Sequence, residues 1–305
     1  QAWSIASFTT FLVCFVKLSV KSSSAAKLFN AVHKAQVSWN RIKPLLPQEE
    51  KNETDEVKVK KTPVEALKHL SFTYPDGKKI LDDISFSAKK GQIIGITGAV
   101  ACGKSTLGKA FLCEYPYEGH ITVDGAELQN MEQSVRTGIV GYLGHDPELF
   151  NDSGENNVLL GDSKNSDTYL NAACMKQEVA EMTDGKNTLI GSGGAYLSGG
   201  QAKRLAFART LCHDKPILIL DDPFSALDRK TEDTVFANLQ EYAKNKTVFL
   251  ISHRLYHFPQ MRQVIFMEDG KTAVGTHAEL MASVPVYCQL YESQTGGTEH
   301  EDKAE

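Results

Sequence analysis

One octapeptide limits what this chain can fold into more than any other feature. Gly98-Ala99-Val100-Ala101-Cys102-Gly103-Lys104-Ser105 fits the pattern G-x-x-x-x-G-K-[ST]. The run Gln92 to Thr97 precedes it, and Ile93-Ile94-Gly95-Ile96 has the apolar continuity of a strand buried on both faces. Leu107, Ala110 and Phe111 follow at helical spacing. Strand, glycine loop and helix in that order form a cradle of backbone N–H groups at the positive end of a helix, which suits phosphate oxygens. In such a cradle Lys104 reaches the β and γ phosphates and the Ser105 hydroxyl binds Mg²⁺.

Two further stretches extend this reading. Ile217-Leu218-Ile219-Leu220-Asp221 is an apolar strand ending in a carboxylate. A central strand would bring Asp221 beside Ser105 as the second metal anchor. Leu197-Ser198-Gly199-Gly200-Gln201 reads as another helix start. Ser198 is a good N-cap, two glycines permit close backbone approach, and Leu205, Ala208 and Cys212 give the helix an apolar stripe. The chain thus offers two helix ends suited to phosphate.

Together with Ser225-Ala226-Leu227-Asp228 and with His253 after a strand at Thr247–Ile251, these motifs resemble an ATP-binding cassette over residues 64–295. The resemblance implies an α/β fold: a RecA-like P-loop NTPase core, an antiparallel β subdomain and an inserted α-helical subdomain at about 151–212. It implies ATP and Mg²⁺ as ligands, with ATP clamped head to tail between two chains. Gly98, Ala99, Val100, Ala101, Cys102, Gly103, Lys104, Ser105 and Thr106 would hold the phosphates. Tyr74 would stack on adenine, and His253 would contact the γ-phosphate. Ser198, Gly199, Gly200 and Gln201 would act on nucleotide held by the partner. Ser105 and Asp221 would hold the metal, and Lys104, Asp222 and His253 would serve hydrolysis. Cys102 lies beside helix N-terminal N–H groups, which favour a thiolate; equally, it is a small residue filling the turn.

Residues 1–46 read as one long helix, with no Gly and no Pro before Pro44 near its end, and twelve of the 18 residues from Trp3 to Val20 are apolar. That stretch is long enough to cross a hydrocarbon core; a buried soluble helix is the alternative. Ala35-Gln36-Val37-Ser38-Trp39-Asn40-Arg41-Ile42 resembles the end of the last transmembrane helix in exporters whose membrane and ATPase domains share one chain. The chain opens on Gln1 and is expected to be the C-terminal part of such a half-transporter. Lys17 and Lys21 share a helix face. They would line a cavity for anionic or zwitterionic cargo, or else flank the membrane on its cytosolic side. Residues 47–63, nine of them charged and bracketed by prolines, read as a linker, and 296–305 as a disordered acidic tail.

Composition narrows the classes. With 41% hydrophobic and 23% charged residues, a disordered, collagen-like or fully membrane-embedded chain is excluded. A net charge of −5 gives no basic footprint for nucleic acid. Six scattered cysteines without a C-x-x-C pair fit neither a disulfide scaffold nor structural zinc.

Three positions depart from the family pattern. Asp222 stands where Glu usually follows the metal-binding Asp, and is one methylene shorter. His145 replaces a Gln expected between Tyr142 and Pro147; the resemblance implies that this Gln touches Mg²⁺, so His145, shorter but able to bind metal, is counted with the cofactor-binding residues. Ser192 stands where exporters often carry Glu. These departures imply an impaired own site in a heterodimer with a second, different half-transporter. The cassette is expected on the cytoplasmic side of the cell membrane, moving a small molecule, lipid or peptide. A non-catalytic regulatory cassette and a soluble ATPase outside transport are the alternatives.

Overall fold

The computed structural model describes residues 5–43, 64–74, 77–191, 197–225, 227–268 and 270–295, with backbone alone at 23–28 and 64–66. The proposed linker and acidic tail, Ser192 and Ala226 lie outside the described residues. The chain divides into two units, residues 1–58 and 59–305.

Among its described residues the first unit holds a single helix, α1 (Ile5–Ile42). Its first part, Ile5–Ser22, is long and apolar enough to cross a membrane by length and composition, and none of it is buried. Thr9 and Thr10 satisfy their hydroxyls on carbonyls of the preceding turn, so neither needs an outside partner in an apolar setting.

The second unit starts with an antiparallel sheet. It is built from β1 (Val64–Thr73), β2 (Lys79–Lys89), β4 (Glu118–Val123) and β5 (Ala126–Glu127), in the order β2-β1-β4-β5. Between β2 and β4 the chain forms β3 (Ile93–Gly98) and the short helix α2 (Lys104–Ala110). Helix α3 (Gln133–Ile139) and strand β6 (Val140–Leu143) follow β5. A mainly helical stretch comes next: β7 (Asp152–Ser153), α4 (Gly154–Leu159), α5 (Ser166–Ala172), α6 (Lys176–Ala180), β8 (Leu189–Ile190) and α7 (Gly199–Cys212). Strands β9 (Ile217–Asp221), β10 (Thr247–Ile251), β11 (Gln263–Glu268) and β12 (Lys271–Gly275) complete the main sheet. Helix α8 (Arg229–Ala243) precedes β10, while α9 (His277–Ser283) and α10 (Pro285–Thr295) end the unit.

The main sheet runs β12-β11-β3-β10-β9-β6. All its neighbours are parallel except β12, which joins the edge antiparallel to β11. Strands β3, β9 and β10 are buried along their whole length, as continuous apolar runs require in a parallel sheet covered on both faces. Strand period then sorts their side chains. Ile94, Ile96, Ile217, Ile219, Phe249 and Ile251 enter a core shared with α2 and the antiparallel sheet. Ile93, Leu218, Leu220, Val248 and Leu250 enter a second core with α7 and α8. The ends of β3 and β9 are thereby fixed from both sides.

Within the second core, His257 stacks on Phe236 with ring centroids 4.1 Å apart, and neither ring nitrogen has a hydrogen-bond partner among the described residues. Glu232, Asp233 and Arg229 are the charged groups around it. Burial, opposed by Asp233, pushes this imidazole below its ordinary 6.5. As pH falls below about 6.5 the unfolded chain takes up the proton first, so His257 erodes stability on the acid side and not above it. His257→Phe keeps the ring packing and removes the titration. Urea unfolding at pH 7.5 and 5.5 is expected to show a smaller acid loss for the variant, by at most about 1.4 kcal/mol per pH unit. Equal losses in both proteins would refute this.

Candidate nucleotide site

Strand β3 ends at Gly98 because no other residue fits there. Its φ is 149°, and an added Cβ would lie 2.0 Å from the Met267 carbonyl oxygen on β11. The loop turns through Ala101 (φ 62°) to Gly103 (φ 100°), and α2 begins at Lys104 without a side-chain cap. The first N–H groups of α2 are therefore left for another acceptor.

Val100 to Thr106 line a cavity of about 290 Å³ together with Tyr74, Ile80 and His253. The Tyr74 ring meets Phe72 and Tyr115 edge-on, at 4.9 and 5.9 Å between centroids, and its hydroxyl lies 3.3 Å from Thr106 Oγ1. This braces an aromatic ring beside the loop. Gly98 and Ala99 join the site through Lys104, whose Nζ donates to their carbonyl oxygens at 3.1 and 2.6 Å. The expected reach of Lys104 to phosphates thus differs from its position here. A buried ammonium must be satisfied, and the loop's own carbonyls do it; a phosphate would have to exchange for them.

The carboxylates stand at the end of β9. Asp221 is 3% exposed, and Tyr142 on β6 is the one hydrogen-bond donor to its carboxylate among the described residues, at 3.4 Å. Burial, then the charge of Asp221, pushes the Tyr142 hydroxyl far above its usual range, so it remains a donor. A nearly buried carboxylate with one long hydrogen bond has lone pairs to spare for a cation. Among the described residues no group of three His, Cys, Asp or Glu side chains is placed to hold a metal ion by itself. That suits Mg²⁺, which takes one or two protein ligands and completes its shell with phosphates and water.

Asp222 has φ 52°, a left-handed conformation that costs a non-glycine residue about 1–3 kcal/mol. Its N–H donates to the Ile251 carbonyl at 2.8 Å. Its carboxylate faces His145, with Nδ1 3.9 Å from Oδ2. His145, expected to contact the metal, is thus set against Asp222, with its own side chain 55% exposed. His253 is pushed below its ordinary pKa by desolvation and then by the Lys104 ammonium, while Asp222 and Asp221 oppose this. It is neutral near pH 7, and the fields of both ends of the site meet on it.

Ser198–Gln201 form no part of that cavity. They make a full capping box: Ser198 Oγ accepts from Gln201 N at 3.2 Å, and Gln201 Oε1 accepts from Ser198 N at 2.9 Å. Gln201 also donates to Glu178, which Arg204 grips twice, at 2.6 and 3.0 Å. Ser198 and Gly199 are exposed, and an added Cβ at Gly199 would meet nothing within 4 Å among the described residues. The loop after Asp222 is held at its far end by Arg254, which donates to the Leu227 carbonyl and to buried Glu232, each at 2.7 Å. Asp228 then caps α8 through Thr231 N.

Residues 81–225 match the family model described as ABC transporter. A probable multidrug resistance ABC transporter ATP-binding/permease protein of Bacillus subtilis is 35% identical over 282 residues, 88% of this chain and 47% of that protein. The chain belongs to the ABC transporter family. An ATP-dependent lipid A-core flippase of Salmonella typhimurium is also 35% identical, over 82% of this chain and 44% of its own length. The solved structure of a bacterial Atm1-family ABC exporter with ATP bound shares the fold, with a TM-score of 0.83 and 24% identity over 95% of this chain and 53% of its own. The ABC transporter chain spans about half the length of the relatives it matches.

Sequence reading missed three residues of this neighbourhood. Tyr142 and Arg254 lie next to recognised motifs, but their partners are far along the chain. Lys203 sits in a helix read only for its apolar stripe.

Proposed function

We propose that this chain is the ATP-binding and ATP-hydrolysing part of an exporter subunit in the cell membrane, with its cassette in the cytoplasm. The observation that carries this is one cavity uniting Tyr74, Val100–Thr106 and His253 beside Asp221 and Asp222. Tyr74 stacks on adenine, and the loop N–H groups and Lys104 take the phosphates. Ser105 and Asp221 hold Mg²⁺, which when bound neutralises developing phosphate charge. Asp222 accepts a proton from the attacking water as its oxygen bonds the γ-phosphorus and ADP departs. Neutral His253 accepts or donates a hydrogen bond at the γ-phosphate edge. The open tip at Ser198–Gly200 completes the nucleotide site of a second chain. The apolar part of α1 supports a place in the bilayer.

Equilibrium dialysis of the assembled full-length protein with labelled ATP is expected to show magnesium-dependent uptake. Absence of that uptake would remove the proposal.

We further infer that the own site is slow and that the partner is a different half-transporter. Asp222 is one methylene short of Glu, and a misplacement near 1 Å costs about 10²-fold. With the partner's own site silenced, Asp222→Glu is expected to raise phosphate release by the assembled pair at least severalfold. No gain, with ATP still bound, would favour a regulatory cassette that binds without turnover.

A further inference from the structure

Lys203 lies on α7 two residues beyond the capping Gln201, and it is buried, at 7% exposure. Its ammonium makes two hydrogen bonds and both go to the segment that follows β9: the carbonyl oxygen of Asp222 at 3.1 Å and Ser225 Oγ at 2.6 Å. The Asp222 peptide unit is thus pinned at both ends. Its N–H is fixed to Ile251 on β10 and its carbonyl to Lys203 on α7, with Ser225 N as a second, longer donor at 3.3 Å. Between those anchors the residue holds φ 52°. A left-handed residue aims its side chain differently from an extended or helical one, and it keeps that conformation only while its surroundings impose it. Main-chain anchors therefore decide where the Asp222 carboxylate stands.

A cation in this place is not neutral packing. Burial disfavours it, while Asp222, Asp146 and Asp221 favour it. An apolar side chain would fill the same volume without desolvating a charge, but it would leave the Asp222 carbonyl and the Ser225 hydroxyl with one donor fewer.

We propose that Lys203 is a positioning residue that sets the Asp222 carboxylate from within α7, so that the helix tip at Ser198–Gly200 and the hydrolytic carboxylate of the same chain move as one body. This rests on the reading of Asp222 as the group that activates water. Through α7, contact of Ser198–Gly200 with nucleotide on the partner chain is passed to the chain's own hydrolytic centre.

The test compares Lys203→Met, Lys203→Arg and Asp222→Asn in the assembled full-length protein, with the partner's own hydrolytic carboxylate replaced by its amide so that turnover reports the site built on Asp222, measuring phosphate release against ATP concentration and ATP uptake by dialysis. Lys203→Met keeps the stem and drops both hydrogen bonds. It is expected to lower kcat about 10- to 100-fold, the scale of a carboxylate displaced by about 1 Å. Its KM and ATP uptake should stay within twofold. Lys203→Arg retains donors at the same place and is expected to recover most of the turnover. Wild-type kcat in Lys203→Met overturns the proposal. So does a parallel loss of kcat and ATP uptake, or no recovery with Arg, since either marks a packing role. Asp222→Asn separates the two readings. If it leaves turnover unchanged, the assignment of Asp222 fails and positioning falls with it. If it lowers turnover while Lys203→Met does not, positioning alone fails.

Discussion

Lys104→Ala is expected to lower ATP hydrolysis at the site built on its own loop, read with the partner's own site silenced, by about 10²–10³-fold, as removal of one preorganised charge-stabilising donor does in other enzymes. The structure explains why the loss in affinity should be the smaller effect. In the fold described here, Nζ already donates to the carbonyls of Gly98 and Ala99. On binding it would exchange those neutral acceptors for phosphate oxygens, so affinity gains only the difference. A hydrogen bond to a charged group contributes about 1.5–3 kcal/mol, which caps the affinity loss near 10- to 150-fold. Dialysis and phosphate release on the same preparation separate the two numbers. Lys104→Arg should not rescue either, because a planar fork does not fit a site shaped for a point charge between two carbonyls. Unchanged nucleotide uptake and hydrolysis in Lys104→Ala would dismiss the phosphate role of the loop.

The second large effect is on the fold. Gly98→Ala places a methyl group 2.0 Å from the Met267 carbonyl oxygen and 2.9 Å from its carbon, at a φ of 149°. Met267 pairs with Gly98 in the β11–β3 register, so neither backbone yields without opening the sheet at its centre. A cost of about 4–5 kcal/mol is expected, at the upper end for single substitutions. For a domain of this size that corresponds to a fall in Tm of roughly 10–20 °C. Gly125→Ala is the control. Gly125 has φ 81° and nothing within 4 Å of an added Cβ, so only conformational strain of about 1–2 kcal/mol applies. Thermal unfolding that ranks the two variants equally would reject the collision argument.

What could be read from the residues alone was whatever is local. The glycine loop, the capping box at Ser198 and the apolar runs of β3, β9 and β10 each carry their pattern within a few positions. Strands β5, β7 and β8 have two residues apiece, too few for any period to show. Strand β12 is a half-exposed edge without buried positions, so its alternation is weak. At the site, Tyr74 and His253 could be placed by motif. Lys203, Tyr142 and Arg254 could not, because their partners Asp222, Asp221 and Leu227 lie about 20 to 80 positions away and meet them only through the sheet order. That His145 faces Asp222 was equally out of reach; which acceptor a side chain meets across such a separation is set by tertiary packing.

The strand order has a further consequence, for biosynthesis. Ile93 lies opposite Val248, and Ile94 opposite Gln263. Both neighbours of the strand that carries the glycine loop are therefore made long after it. At about 5–20 residues per second, a ribosome needs roughly 10–35 s to travel from Gly98 to Met267. Throughout that interval Ile93–Ile96 has emerged without the strands that cover it. Closing so long a loop is slow as well. The nascent chain thus carries an unpaired apolar strand for many seconds, and it is during translation that this cassette has the greatest call on chaperones.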